Sequence, residues 1–204
     1  MKIPKFIFGL GLLSLLFLHT QLLAIASPSG SVYKRCVQYI QSVALWHQNY
    51  FGLNFPYQYP VGQLQQESNC RFVVSKDGFG SVGPAQITPS VWSKELPKVD
   101  FWTVDGTTKA QAHINKDAWN QAVIKRLWVM FQIYNGGGLV NKEIKRAGGI
   151  NDWEKAKAQC RRGVTHYKSG DVSNCEINYD YSVKVYKYGG QYGGIKATGQ
   201  YRYW

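Results

Sequence analysis

Glu67 is the side chain whose type and setting best suit proton chemistry in this sequence. It closes a short segment, PVGQLQQES over residues 60–68, in which Val61, Leu64 and Ser68 share one inward face and the glutamate lies at its edge. A Gly- and Pro-rich stretch, SKDGFGSVGPAQITP, follows directly and could lie against a polymer. A carboxyl group beside apolar residues has its acid form favoured, so it can donate a proton near neutral pH. Glycoside cleavage needs such an acid, together with a second group that stabilises or traps the cationic sugar centre. Periodicity alone favours a solvated helix glutamate at this position. Two further segments are needed to raise the functional reading.

These segments are Gly83-Pro84-Ala85-Gln86-Ile87-Thr88-Pro89 and Tyr134-Asn135-Gly136-Gly137-Gly138. With Glu67-Ser68, in this order and at these distances, they resemble the catalytic domain of soluble-type lytic transglycosylases, related to goose-type lysozyme. That family carries Glu-Ser, then Gly-Leu-Met-Gln-Ile-x-Pro, then a helix ending Ala-x-Tyr-Asn-Ala-Gly. The match covers roughly residues 60–147. Each motif is weak alone, and the three in register are fairly specific. Alternatives for single residues stay open: Gln86 as a loop-capping amide, Tyr134 as a core aromatic, and Asn135-Gly136 as a helix-ending turn.

The resemblance implies roles residue by residue. Glu67 becomes the single catalytic acid and base, and Ser68 its supporting neighbour. Gln86 lines the groove near the scissile bond. Tyr134 hydrogen-bonds the catalytic carboxylate, and Asn135 lies near the sugar. The implied substrate is the peptidoglycan glycan strand, cut between N-acetylmuramic acid and N-acetylglucosamine with a 1,6-anhydro end, without metal or cofactor. The 2-acetamido group of the substrate assists, so no second carboxylate is required; Asp77, Asp100 and Asp105 are the weak candidates for one. Pro84 and Ala85 replace leucine and methionine of the family, which reshapes the groove floor. Gly136 replaces alanine, which reads as a small change. The turn between Ser75 and Gly83 is slightly longer than the family's. A hydrolytic lysozyme of the same fold and a non-catalytic wall-binding protein are the competing expectations.

The elements that must position these groups are mainly helical. A single domain is expected from 204 residues, and 45% hydrophobic with 18% charged residues excludes a disordered chain. An amphipathic helix is predicted over residues 31–47, with Val32, Cys36, Ile40, Val43 and His47 in one stripe. The segment 60–68 is predicted as a second helix opened by Pro60. Thr88-Pro89 reads as the cap and first residue of another. Residues 98–116 read as loop, with a hairpin near Asp105-Gly106. The strongest helix spans 116–134, where Trp119, Val123, Leu127, Met130 and Tyr134 align. A short helix over 141–147 and one opened by Asn151-Asp152-Trp153-Glu154 follow. The Tyr-rich end of the chain reads as helix to Tyr188, then a loose tail. The fold class is mainly α, and the resemblance implies a two-lobed lysozyme-like domain with a substrate cleft. Its expected extent is residues 27–204, with a Tyr-rich extension over 160–204.

Lys2 and Lys5 precede an apolar run from Phe6 to Leu18, and Ala24-Ile25-Ala26 offers a cleavage site. Residues 1–26 are therefore expected to be a signal peptide, with an uncleaved membrane anchor as the alternative. Export implies an oxidising compartment, secreted or periplasmic, and four cysteines that pair. Of three possible pairings, Cys36–Cys70 and Cys160–Cys175 are favoured as nearest in sequence. A zinc site from Cys160, His166 and Cys175 is disfavoured by the lack of a C-x-x-C clamp. His47, His113 and His166 lack partner patterns and read as structural. A net charge of +12 favours anionic partners. For an exported chain these are the cell wall or a membrane surface rather than nucleic acid. Small transglycosylases of this kind also serve envelope-spanning secretion, conjugation or phage-entry machinery. Seven Trp and 14 Tyr could stack on sugars.

Overall fold

The computed structural model describes residues 30–75, 78–167, 170–194 and 199–204. The signal-peptide expectation falls on residues outside these, and so does Asp77. The chain is mainly helical. In order it forms α1 (Gly30–Val37), α2 (Ile40–Phe51), α3 (Gln58–Ser68), α4 (Pro89–Trp92), α5 (Val104–Gln121), α6 (Leu127–Gly136), α7 (Leu139–Arg146), α8 (Trp153–Ala158) and α9 (Asn174–Gln191). An antiparallel hairpin of β1 (Val164–Tyr167) and β2 (Gly170–Ser173) sits between α8 and α9. Among the described residues no helix is long and apolar enough to cross a membrane.

Two apolar clusters flank α3. Tyr59 joins one built on α5, α6 and α9, with Trp119, Trp128, Phe131 and Tyr179. Val61 and Leu64 join the other, with Cys36, Val43, Cys70 and Ile87. Both favoured disulfides are formed, Cys36–Cys70 and Cys160–Cys175. Between the clusters runs a buried polar chain. Gln63 Oε1 accepts from Gln111 Nε2 at 2.8 Å and from Asn115 Nδ2 at 2.9 Å, and Asn115 also reaches His47 Nε2 at 3.0 Å. His47 Nδ1 donates to the Val43 carbonyl at 2.9 Å. Both ring nitrogens are therefore used by the neutral imidazole, and burial lowers the His47 pKa to about 3. This histidine is structural, as its sequence setting suggested.

Three predicted elements are corrected. The 31–47 helix breaks after Cys36, into α1 and α2. The loop predicted over 98–116 is instead the first two-thirds of α5. Asp105-Gly106 forms no hairpin, because the Thr103 hydroxyl accepts the Gly106 N–H at 3.0 Å as a helix N-cap and Asp105 complements the helix dipole. The long 116–134 helix is broken at residues 122–126. Lys125 Nζ donates to the carbonyls of Trp119, Asn120 and Ala122 at the end of α5. The first N–H groups of α6, on Leu127 and Trp128, donate to the carbonyls of Arg202 and Tyr203 at 3.0 and 3.1 Å. Non-local groups thus satisfy both helix ends, which a 3.6-residue period cannot report. The last residues are accordingly no loose tail: Tyr201 and Tyr203 are buried in the first cluster.

Helices α3 and α9 make the closest crossing in the molecule. A Cβ on Gly62 would lie 2.4 Å from the Gly189 nitrogen and 2.8 Å from the Val185 carbonyl oxygen. A Cβ on Gly189 would lie 2.4 Å from Tyr59 Cδ1. Gly190, the next residue, faces open space. Gly62→Ala is therefore expected to force the helices apart and cost about 1–3 kcal/mol. Gly190→Ala should be neutral or stabilise by about 0.5–1 kcal/mol through helix propensity. Urea unfolding of the pair checks this, and equal effects would remove the crossing as the cause.

Candidate active site

Glu67 projects from the last turn of α3 and is only partly exposed. The Tyr181 hydroxyl, from the middle of α9, donates a short hydrogen bond to Glu67 Oε1. Burial lifts the Glu67 pKa from 4.5 to about 7, against the bond from Tyr181, which pulls it down. The phenols of Tyr181 and Tyr134 are both pushed well above their ordinary range, first by burial and then by the Glu67 charge. Glu67 therefore has a carboxyl that is about half protonated near neutrality, with two un-ionised phenols beside it. An acid–base group works best when its pKa lies near the working pH.

The Gly-rich loop is fastened under this carboxyl from two sides. Ser68 Oγ donates to the Pro84 carbonyl at 3.0 Å and accepts the Arg71 N–H at 3.0 Å. Tyr134 Oη, on α6, donates to the next carbonyl, that of Ala85, at 2.7 Å. Val82 and Ile87 exchange backbone hydrogen bonds at 2.8 and 3.0 Å, closing the turn. Gln86 takes a left-handed backbone, φ 51°, and its amide donates to the carbonyls of Val73 at 3.1 Å and Gly83 at 2.8 Å. Its N–H groups are thus spent inside the loop. Asn135 Nδ2 donates to Asn178 Oδ1 at 2.8 Å, tying the end of α6 to α9.

The three sequence segments come together here, with one exchange of roles. The bond to the carboxyl comes from Tyr181, whereas Tyr134 orients the loop. Tyr181 lies outside the matched stretch, in a Tyr-rich run where alternation with valine allowed strand or helix. Its only sequence signal is the helical spacing of Tyr181, Val185 and Tyr188. Among the described carboxylates none joins Glu67: Asp100 accepts its own turn's Trp102 N–H, and Asp105 accepts Trp46 Nε1 at 2.7 Å. The described residues hold no cluster of histidine, cysteine and acidic side chains suited to a metal ion. His113 and His166 pair with Glu95 and Asp171, away from Glu67. The change at Gly136 is not small, because a Cβ there would lie 2.4 Å from Asn178 Oδ1 and 2.9 Å from Arg162 Nη1.

Sequence reasoning also missed a second buried carboxylate. Glu143 is held by Arg162 Nε and Nη2 at 2.8 and 3.0 Å and by the Tyr179 hydroxyl at 2.7 Å. It is fully engaged and serves structure. No family description, curated protein or solved structure matches this chain.

Two predictions follow from the Glu67 environment. Tyr181→Phe removes the bond that favours the carboxylate while burial remains, so the Glu67 midpoint should rise above about 7. A ¹³C NMR titration of the glutamate carboxyls reads this, and an unchanged or lower midpoint would contradict the assigned contact. The second concerns stability. The raised folded-state pKa contributes stability that is complete below pH 4.5 and lost as pH climbs through about 7. Glu67→Gln cannot ionise. Relative to its gap at pH 5, the variant should gain about 1–3 kcal/mol on the parent chain at pH 8 in urea unfolding. A pH-independent gap would mean that Glu67 is not desolvated.

Proposed function

We propose that this chain is a peptidoglycan lytic transglycosylase with Glu67 as its acid and base, built on a lysozyme-like framework. The observation that carries the reading is the Glu67 carboxyl, raised to about 7 and held by the Tyr181 hydroxyl. It lies at the end of α3, which Ser68 ties to the Gly83–Gln86 loop. Pure binding has no need for a carboxyl kept protonated at neutral pH.

Protonated Glu67 donates to the oxygen bridging N-acetylmuramic acid and N-acetylglucosamine, and the bond from C1 to that oxygen breaks. The substrate's acetamido oxygen bonds to C1 and holds the positive charge, as in substrate-assisted glycosidases. The muramic C6 hydroxyl then displaces it at C1, closes the 1,6-anhydro ring and returns its proton to Glu67. Tyr181 steadies the carboxylate between the two transfers. The two disulfides suit an oxidising compartment outside the cytoplasm. The positive charge favours the anionic wall as partner.

Glu67→Gln should lower the rate on purified peptidoglycan by at least about 10²-fold, with circular dichroism unchanged. Products of the parent chain should be anhydro-muropeptides, one water lighter than their hydrolysed counterparts by mass spectrometry. Reducing ends would make it a hydrolytic lysozyme. Binding to walls without any cleavage would make it a binding protein.

A further inference from the structure

Beside the candidate acid lies a pocket of about 320 Å³, bounded by the end of α6, the start of α7, the segment before β1 and the first turns of α9. Asn135, Leu139, Arg162, Asn174, Ile177 and Asn178 line it. Asn178 precedes Tyr181 by three residues on α9, about 5 Å along the same helix face. Asn135 directly follows Tyr134. The pocket therefore opens within one sugar substituent of Glu67.

The polar groups are set by their other bonds. Arg162 spends Nε and Nη2 on Glu143, which leaves Nη1, near Gly136, for the pocket. Its side chain is only 7% exposed, so any bond it makes there is shielded from water. Asn174 accepts from Thr165 through Oδ1, leaving its amide N–H groups to donate. Asn135 donates to Asn178, leaving its Oδ1 to accept. Two donors and one acceptor thus face a space whose remaining walls are the apolar Leu139 and Ile177. The Arg162 charge is already balanced by Glu143, so the pocket suits a neutral amide better than a free anion. Its volume depends on a missing methyl group. Alanine at 136, as in the family this chain resembles, would press on both Asn178 and Arg162.

A neutral arm with carbonyls, an N–H and small methyl groups is what the muramic ring carries on its lactyl ether once the stem peptide is attached. We propose that this pocket receives the lactyl-alanyl arm of the muramoyl residue, so that the protein selects peptide-bearing glycan over bare glycan. The proposal rests on the reading of Glu67 as the group facing the scissile bond.

Binding is the decisive readout, because it needs no turnover. The probes are N-acetylmuramoyl-L-alanyl-D-isoglutamine, which has the arm, and N,N′-diacetylchitobiose, which lacks it. With the Glu67→Gln chain, the first should bind about tenfold more tightly, the scale of one shielded hydrogen bond. It should also shift the Asn135 and Asn174 side-chain amide resonances in ¹⁵N NMR. Gly136→Ala in the same background should erase the preference. If that variant fails to fold, Asn174→Ala should reduce it instead. Equal affinity for the two probes, or binding that leaves both amides unmoved, overturns the pocket. A parent chain that cleaves no wall material yet keeps the preference overturns the acid–base role of Glu67 and leaves the pocket standing.

Discussion

The close approach of α3 and α9 is the constraint from which the rest of the site follows. Glu67 lies on one helix and Tyr181 on the other, 114 residues apart in the chain. Their short hydrogen bond requires the two backbones to be closer than ordinary side chains allow, and Gly62 against Gly189 supplies that proximity. The same crossing presses Tyr59 onto α9 and so builds one wall of the larger cluster. Glycine inside a helix costs about 1 kcal/mol in propensity, so these two positions trade helix stability for separation. Any widening here would loosen Tyr181 from the carboxyl before it disturbed the outer helices.

A carboxyl lifted to about 7 is itself a destabilising feature, and the surroundings hold it in place. Desolvation is the larger effect on Glu67, and the phenol bond only partly offsets it. One turn earlier on α3, Gln63 is fully buried and fixed by Gln111 and Asn115. That network reaches His47, whose low pKa keeps it uncharged across the neutral range. A protonated histidine there would find no acceptor for its second N–H in the Asn115 amide donor, and it would add a cation to the interior. The neutral network makes α3 rigid without introducing a charge that would pull the Glu67 pKa back down.

How much of this was legible in the sequence differs from element to element. The face of α3 was readable, since Val61, Leu64 and Ser68 fall on one stripe and all are buried. The disulfides were readable from spacing, and the site segments from their order. Boundaries set by distant groups were not. Lys125 closes α5 and the last residues open α6, so periodicity ran through a break that only tertiary contacts create. Tyr181 was missed for a related reason: tyrosines are frequent in that region, and nothing local distinguishes the one that meets a carboxyl. The weight of Gly136 also depends on partners far away in sequence, Arg162 and Asn178.

Backbone strain converges on the same place. Among the described residues, Asn69, Cys70 and Gln86 are the non-glycines with positive φ, at 55°, 57° and 51°. Each left-handed residue of this kind costs roughly 1–2 kcal/mol, and each has a local restraint that holds it. Asn69 ends α3 with its N–H on the Gln65 carbonyl, Cys70 is tied to α1 through Cys36, and Gln86 is clamped by its own side chain. The first two fix where α3 stops, hence where Glu67 points. The third fixes the loop that Ser68 and Tyr134 grip. Strain that persists only because neighbours over-determine it marks sites where geometry matters more than stability. Here it gathers around a single carboxyl, and the Cys36–Cys70 bridge, three residues beyond Glu67, anchors that end of the helix.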